Sequence, residues 1–155
     1  MTKLVTNGEV SPQKLFGLDD VGNVTAELEH AAFLVGGSHH AARGSVFLVD
    51  YTTDKIREVN PATGALLNEF SATPTGSPAF DVYYGDVAVS TVSGNIFLVS
   101  SNETSVRELT PTGGFVSDYD LSGLGISGMS GVDIDPVTDD AWIVTQVDGR
   151  IFRVA

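Results

Sequence analysis

The chain has 155 residues, a net charge of −12, 17 glycines, 6 prolines, no cysteine and 42% hydrophobic residues. That length supplies one domain able to bury about two-thirds of its unfolded surface, and the lack of cysteine excludes disulfide staples and thiolate chemistry while leaving the redox compartment open. Arg107 is the only Lys or Arg between Pro61 and Gly149, so clustered cations for phosphates are missing and nucleic acid is excluded as a partner.

Residues 1–23 carry turn signals at Asn7-Gly8, Ser11-Pro12 and Val21-Gly22-Asn23 around two short apolar pieces, Leu4-Val5 and Leu15-Phe16. They read as an N-terminal arm or a small hairpin. No apolar run here is long enough for a signal peptide, and none anywhere could span a bilayer, which points to a soluble chain made in the cytoplasm without membrane insertion. From Val24 the pattern alternates, with Val24, Ala26 and Leu28 against Thr25, Glu27 and Glu29. This predicts a half-buried strand over 24–29, although the Ala, Glu and Leu content of residues 25–34 makes a helix the competing reading.

The rest of the chain repeats. Gly44-Ser45-Val46-Phe47-Leu48-Val49 with Lys55-Ile56-Arg57-Glu58-Val59-Asn60-Pro61 matches Gly94-Asn95-Ile96-Phe97-Leu98-Val99 with Ser105-Val106-Arg107-Glu108-Leu109-Thr110-Pro111 at an offset of about fifty residues. A shorter third copy, Ala141-Trp142-Ile143-Val144 and Arg150-Ile151-Phe152-Arg153-Val154, follows at an offset of about forty-five. Each copy predicts a β-branched run, a polar turn, a second strand, a Pro-and-Gly turn and a third strand, with residues 81–90 and 129–135 adding one strand between copies. Four strands per repeat is the arithmetic of a propeller blade. The expectation is an all-β, propeller-like repeat domain over 24–155, with about three blades at roughly 31–70, 79–121 and 129–155. The strand 24–29 has no place of its own in the repeat and is expected to complete the third blade, in its own chain or in a neighbour. Because about three blades are too few to close a ring, a homo-oligomer, dimer or trimer, is expected, a two-fold ring of six blades being the simplest closed form.

The segments Asn95-Ile96-Phe97-Leu98-Val99, Val106-Arg107-Glu108-Leu109-Thr110-Pro111-Thr112-Gly113, Asp118-Tyr119-Asp120-Leu121-Ser122 and Gly131-Val132-Asp133-Ile134-Asp135-Pro136 resemble the blades of NHL-like and SdiA-regulated-type bacterial β-propellers. The resemblance covers residues 44–155 and implies fold more than function, since that family has no shared catalytic set. The opening Lys14-Leu15-Phe16-Gly17-Leu18-Asp19-Asp20-Val21-Gly22-Asn23-Val24 is similar, over a shorter span, to bacteriophage head-decoration and tail-adhesin proteins.

Residues 133–140 place four carboxylates in eight positions, but Thr138 and Val144 stand where a calcium loop needs Gly and Glu. A tight turn is the expectation, and neither metal nor cofactor is called for. His39-His40, within Gly36-Gly37-Ser38, reads as a solvated loop. Gly128-Met129-Ser130-Gly131-Val132 lacks the second Gly of a nucleophile elbow. Phe47, Phe97 and Trp142 occupy one equivalent position and are expected to pack between blades. Arg57-Glu58 and Arg107-Glu108 read as surface pairs worth less than about 1 kcal/mol each. Tyr83, Tyr84 and Tyr119 are the candidate ligand-binding aromatics. The functional expectation is a non-enzymatic structural or binding module, most simply a virion surface component in contact with other virion proteins, with a glycan- or small-ligand-binding, lectin-like propeller as the alternative.

Overall fold

The computed structural model describes residues 3–6, 13–30 and 33–155. Apart from one 3-10 turn at Ser122–Leu124, its regular elements are strands: β1 Lys3–Thr6, β2 Gln13–Leu18, β3 Val24–His30, β4 Leu34–His40, β5 Ser45–Asp50, β6 Lys55–Val59, β7 Leu66–Ser71, β8 Asp86–Val89, β9 Ile96–Val99, β10 Ser105–Leu109, β11 Phe115–Asp120, β12 Met129–Ile134, β13 Ala141–Thr145 and β14 Ile151–Val154. They form four antiparallel sheets in the orders β1-β2-β3, β4-β5-β6-β7, β8-β9-β10-β11 and β12-β13-β14. The first strands of successive sheets lie side by side, β1 on β4, β4 on β8 and β8 on β12. This is the blade order of a propeller, laid out as an arc. No helix among the described residues is long and apolar enough to cross a membrane.

The repeat is visible in the turns. Gly44, Gly94 and Asp139 each donate a backbone N–H to the carbonyl four residues earlier, of His40, Ser90 and Asp135. All three have positive φ, 62°, 74° and 61°, so Asp139 holds the left-handed position that glycine holds in the other two copies. Residues 133–140 form the expected turn, with Asp135 Oδ1 accepting the N–H groups of Val137 (2.8 Å) and Thr138 (3.2 Å). The ring-outward turns also repeat, Gly64 N–H bonding the Asn60 carbonyl and Gly113 N–H that of Thr110.

Two segments differ from expectation. The N-terminal arm is a sheet: Phe16 pairs with both Val5 and Glu27, so β3 completes this first sheet and is not the outer strand of the last. The alternation of Gln13–Leu18, with Gln13, Leu15 and Gly17 buried, is only six residues long and sits between turn signals that mask it. The second segment is β4. Gly36-Gly37-Ser38 looks like a loop, yet it pairs with Phe47, Leu48 and Val49. Small residues are needed there because β8 comes so close that a Cβ on Gly36 would lie 2.7 Å from the Asp86 Cα. Gly36→Ala is therefore expected to cost about 1–3 kcal/mol by overpacking, read as a lowered midpoint in thermal or urea unfolding; an unchanged midpoint would show that the two strands can part freely.

Three apolar cores fill the three joints between sheets. Leu15, Leu34, Val46, Leu48 and Val59 close the first joint. Phe47, Val49, Val87, Ile96 and Leu98 lead the second, and Ala88, Val99, Met129, Val132 and Ile143 the third, with Phe97 packed against it. Phe47 and Phe97 thus face the following sheet, as their equivalence predicts. Trp142, in the same row, is 41% exposed, because no described sheet follows its own.

The Arg-Glu neighbours are not surface pairs. Arg107 is fully buried and Glu58 and Glu108 nearly so, and each finds a partner elsewhere. Arg43 Nε and Nη2 donate to Glu58 at 2.7 and 2.9 Å, and Ser45 Oγ donates at 2.6 Å; this pairing with Arg43 is the main reason that the Glu58 carboxyl titrates below its usual range. Arg57 reaches Asp50 and Glu69. Adjacent residues on a strand point to opposite faces, so Arg57 and Glu58 never share one.

Candidate functional site: an aromatic platform at the second joint

Tyr83 and Tyr84 lie just before β8, at the end of the second joint. Two further rings join them: Phe33, just before β4, and Tyr51, just after β5. Tyr51 and Tyr84 stack with centroids 5.7 Å apart and planes 17° from parallel. Tyr83 stands edge-on to both, at 4.6 Å from Tyr84 and 6.2 Å from Tyr51, and Phe33 meets Tyr51 at 5.8 Å. Such pairs contribute about 0.5–1.5 kcal/mol each beyond area burial. Phe33, Tyr83 and Tyr84 are nonetheless exposed.

Backbone hydrogen bonds that recur in the second, third and fourth sheets bring these rings together. Tyr51 N–H donates to the Phe33 carbonyl, Ser101 N–H to that of Tyr83, and Gln146 N–H to that of Gly128. Phe33, Tyr83 and Gly128 are therefore equivalent, as are Tyr51, Ser101 and Gln146. Only the second joint carries aromatics at these positions. The rings are not a packing requirement of the repeat, unlike Phe47 and Phe97. Tyr84 also has φ 43°, a left-handed conformation that a bulky residue adopts at a cost of about 1–3 kcal/mol and that collects at binding sites.

The rim is polar and acidic. Asn102 Nδ2 donates to Asp81 at 2.6 Å, Asp81 N–H donates to Glu103 at 3.0 Å, and Ser101 Oγ donates to the Tyr83 carbonyl at 2.7 Å. Ser100 Oγ accepts the Tyr83 N–H at 3.0 Å and fixes the loop. With Asp81 and Glu103 at its edge, the platform disfavours anions.

Tyr119 belongs elsewhere. It lies on β11, its hydroxyl donates to Glu108 Oε2 at 2.6 Å, and that bond chiefly pushes its phenol upward. With Phe97, Val106, Leu121 and Ile143 it lines a separate pocket of about 210 Å³ at the third joint. Phe33 and Tyr51 escaped the sequence reading because they lie far from Tyr83 in the chain; the signal available was the aromatic at the fixed blade position of Tyr83.

His40, expected in a solvated loop, is buried at the end of β4 with Nε2 3.1 Å from the Gly94 carbonyl, while His39 beside it is exposed. They face opposite ways because they sit on a strand. Ser130 lies within β12 at a register shift between Met129 and Gly131. Among the described residues no group of three or more His, Asp or Glu side chains is gathered as metal ligands would be.

No family model and no curated protein matches the chain. Solved structures do. The chain is similar to Myxococcus xanthus glutaminyl cyclase (TM-score 0.72, 15% identity, 99% of this chain and 73% of that one). It is also similar to a chain of a nidogen/laminin complex (0.69, 13%, 97% and 56%) and to a streptogramin B lyase (0.61, 18%, 97% and 50%). It thus spans about half the length of the latter two. The resemblance of the N-terminal segment to phage virion proteins finds no support in these likenesses. At these identities the likeness shows the fold alone, an all-β propeller-like arrangement, and because a cyclase and a lyase share it, the expectation of a chain without catalysis is overturned.

Proposed function

We propose that the protein binds a neutral saccharide on the platform formed by Phe33, Tyr51, Tyr83 and Tyr84. The observation that carries this reading is the gathering of four rings in mutual contact at one joint, at blade positions where the other sheets carry Ser101, Gly128 and Gln146 and the fold does not need aromatics. Tyrosine offers a rigid, amphipathic face at low entropic cost, suited to the C–H face of a pyranose. Asn102, Ser101 and Glu103 supply hydrogen-bonding groups for its hydroxyls, and the acidic rim turns away sialylated and sulfated sugars.

A glycan array followed by calorimetry tests it. A neutral saccharide is expected to bind wild-type protein, with Tyr83→Ala and Tyr84→Ala each weakening it at least about tenfold, the equivalent of about 1.4 kcal/mol. Tyr119→Ala is expected to bind as wild type. Binding that survives both platform substitutions, or that Tyr119→Ala abolishes, would overturn the assignment.

A further inference from the structure

The fourth sheet has one face on the third joint and one that nothing among the described residues covers. Directly opposed residues share a face, so the register places Gly131, Val144 and Ile151 in one outward row and Asp133, Trp142 and Arg153 in the next. Trp142 and Val144 are each 41% exposed and Ile151 is 66% exposed. In the preceding sheets the residues equivalent to Trp142, Phe47 and Phe97, pack against the sheet that follows. The outward face of the fourth sheet therefore has the composition of one half of an inter-sheet joint.

The other half is at the opposite end. In the first sheet, Leu15 and Leu28 face the first joint. Val5, Phe16 and Glu27 form an outward row, and Lys14 with Glu29 another. Val5 is exposed, as is Val24 beside Leu18. Both ends carry mixed charge: Asp133 and Arg153 flank Trp142 on the fourth sheet, and Lys14 stands with Glu27 and Glu29 on the first, where Lys3 and Val5 are alternate residues of β1. Arg153 lies over the Trp142 ring, 5.9 Å from its centroid, and can meet a carboxylate from outside while bonded to Asp140 within.

We propose that the outward face of β12-β13-β14 binds a second copy of this chain, on the outward face of that copy's β1-β2-β3 sheet. The contact repeats between chains the joint that each chain makes three times within itself. It is heterologous, so it must close or run on as a filament. Two chains related by a two-fold axis close it with eight sheets, within the range of about four to eight blades that propellers use. This inference is independent of the saccharide site, which lies at the second joint.

Trp142 is the single tryptophan of the chain and reports on its own face without any substitution. Wild-type protein is expected to sediment as a dimer, and dilution through the dissociation range to shift tryptophan emission to longer wavelength. Ile151→Glu and Val5→Glu, both at exposed positions, are each expected to give a folded monomer, checked by circular dichroism. Mixed in equal amounts, the two variants retain one intact joint and are expected to recover a dimer. A wild-type monomer at about 100 μM, well above the Kd range of specific complexes, would overturn the proposal. So would a dimer that persists in Val5→Glu alone, or a mixture that stays monomeric.

Discussion

Arg107→Met is expected to be the most damaging single substitution in the chain, lowering stability by about 3–5 kcal/mol, the usual cost of breaking a buried ion pair by removing one partner. Arg107 is fully buried. Its Nε and Nη2 donate to both Asp118 oxygens at 2.8 and 2.7 Å, and its Nη1 donates to the Ala72 carbonyl at 2.9 Å. Its guanidinium lies 4.7 Å from the Phe80 ring centroid and 5.3 Å from that of Phe115. One side chain thereby ties the outer strands of the third sheet to the segment leaving the second. Methionine fills much of the volume but leaves the Ala72 carbonyl and the Asp118 carboxylate without their donors. At about 2–4 °C per kcal/mol for a chain of this size, the melting midpoint is expected to fall by on the order of 10 °C. The double variant Arg107→Met/Asp118→Leu is expected to regain part of that loss, because it removes the orphaned charge as well. A midpoint within 2 °C of wild type for Arg107→Met, against the roughly 10 °C expected, would refute the tie.

Stability is expected to decline as pH rises from about 4.5 to 6.5, and Asp86 is the cause. Burial at the meeting of β4, β8 and β12 pushes its carboxyl up to about 6, against the pull of the Val87, Val132 and Gly37 N–H groups, and Asp133 adds like-charge repulsion. Its Oδ1 accepts Val87 N–H at 2.8 Å and its Oδ2 accepts Val132 N–H at 3.2 Å. An acid whose folded pKa is raised binds more protons when folded, so its stabilising effect is present at low pH and is lost as pH climbs from the unfolded value to the folded one. About two pKa units at about 1.4 kcal/mol each make this loss about 3 kcal/mol. Carboxyls held low act in the opposite sense. Glu58 beside Arg43 and Asp140 beside Arg153 lose their contribution as pH falls below the usual carboxylate range. The two slopes place the stability maximum near pH 4–5. Thermal melts across pH should show that maximum in wild type, and Asp86→Asn, which cannot ionise, should be flat from pH 4.5 to 6.5. A wild-type profile that rises over that interval would refute the assignment to Asp86.

Much of the fold was legible because period-2 alternation and turn chemistry are local. The strands around Phe47, Phe97 and Trp142, and the turn at residues 133–140, follow from β-branched runs bounded by Gly, Pro and Asp. Where local signals misled, a neighbour from another sheet was responsible. Gly36 looks like a loop residue, and it is small because β8 passes against it. Arg107 and Glu108 look like a surface pair, but the segment carrying Ala72 and Phe80 covers one, and Asn95 and Tyr119 bond the other. Half of the candidate site was visible as the dipeptide Tyr83-Tyr84. Phe33 and Tyr51 enter it only through hydrogen bonds that align equivalent positions of two blades.

By itself, the sequence determined the all-β class, the repeat and most of the strands and turns, since each rests on residues a few positions apart. Only the tertiary structure decided that β1, β2 and β3 form a sheet of their own, that Tyr119 stands apart from Tyr83 and Tyr84, and that Trp142 is left exposed while Phe47 is sealed. The reason is geometric: alternation tells which residues of a strand share a face, whereas what lies upon that face depends on the order in which whole sheets stack.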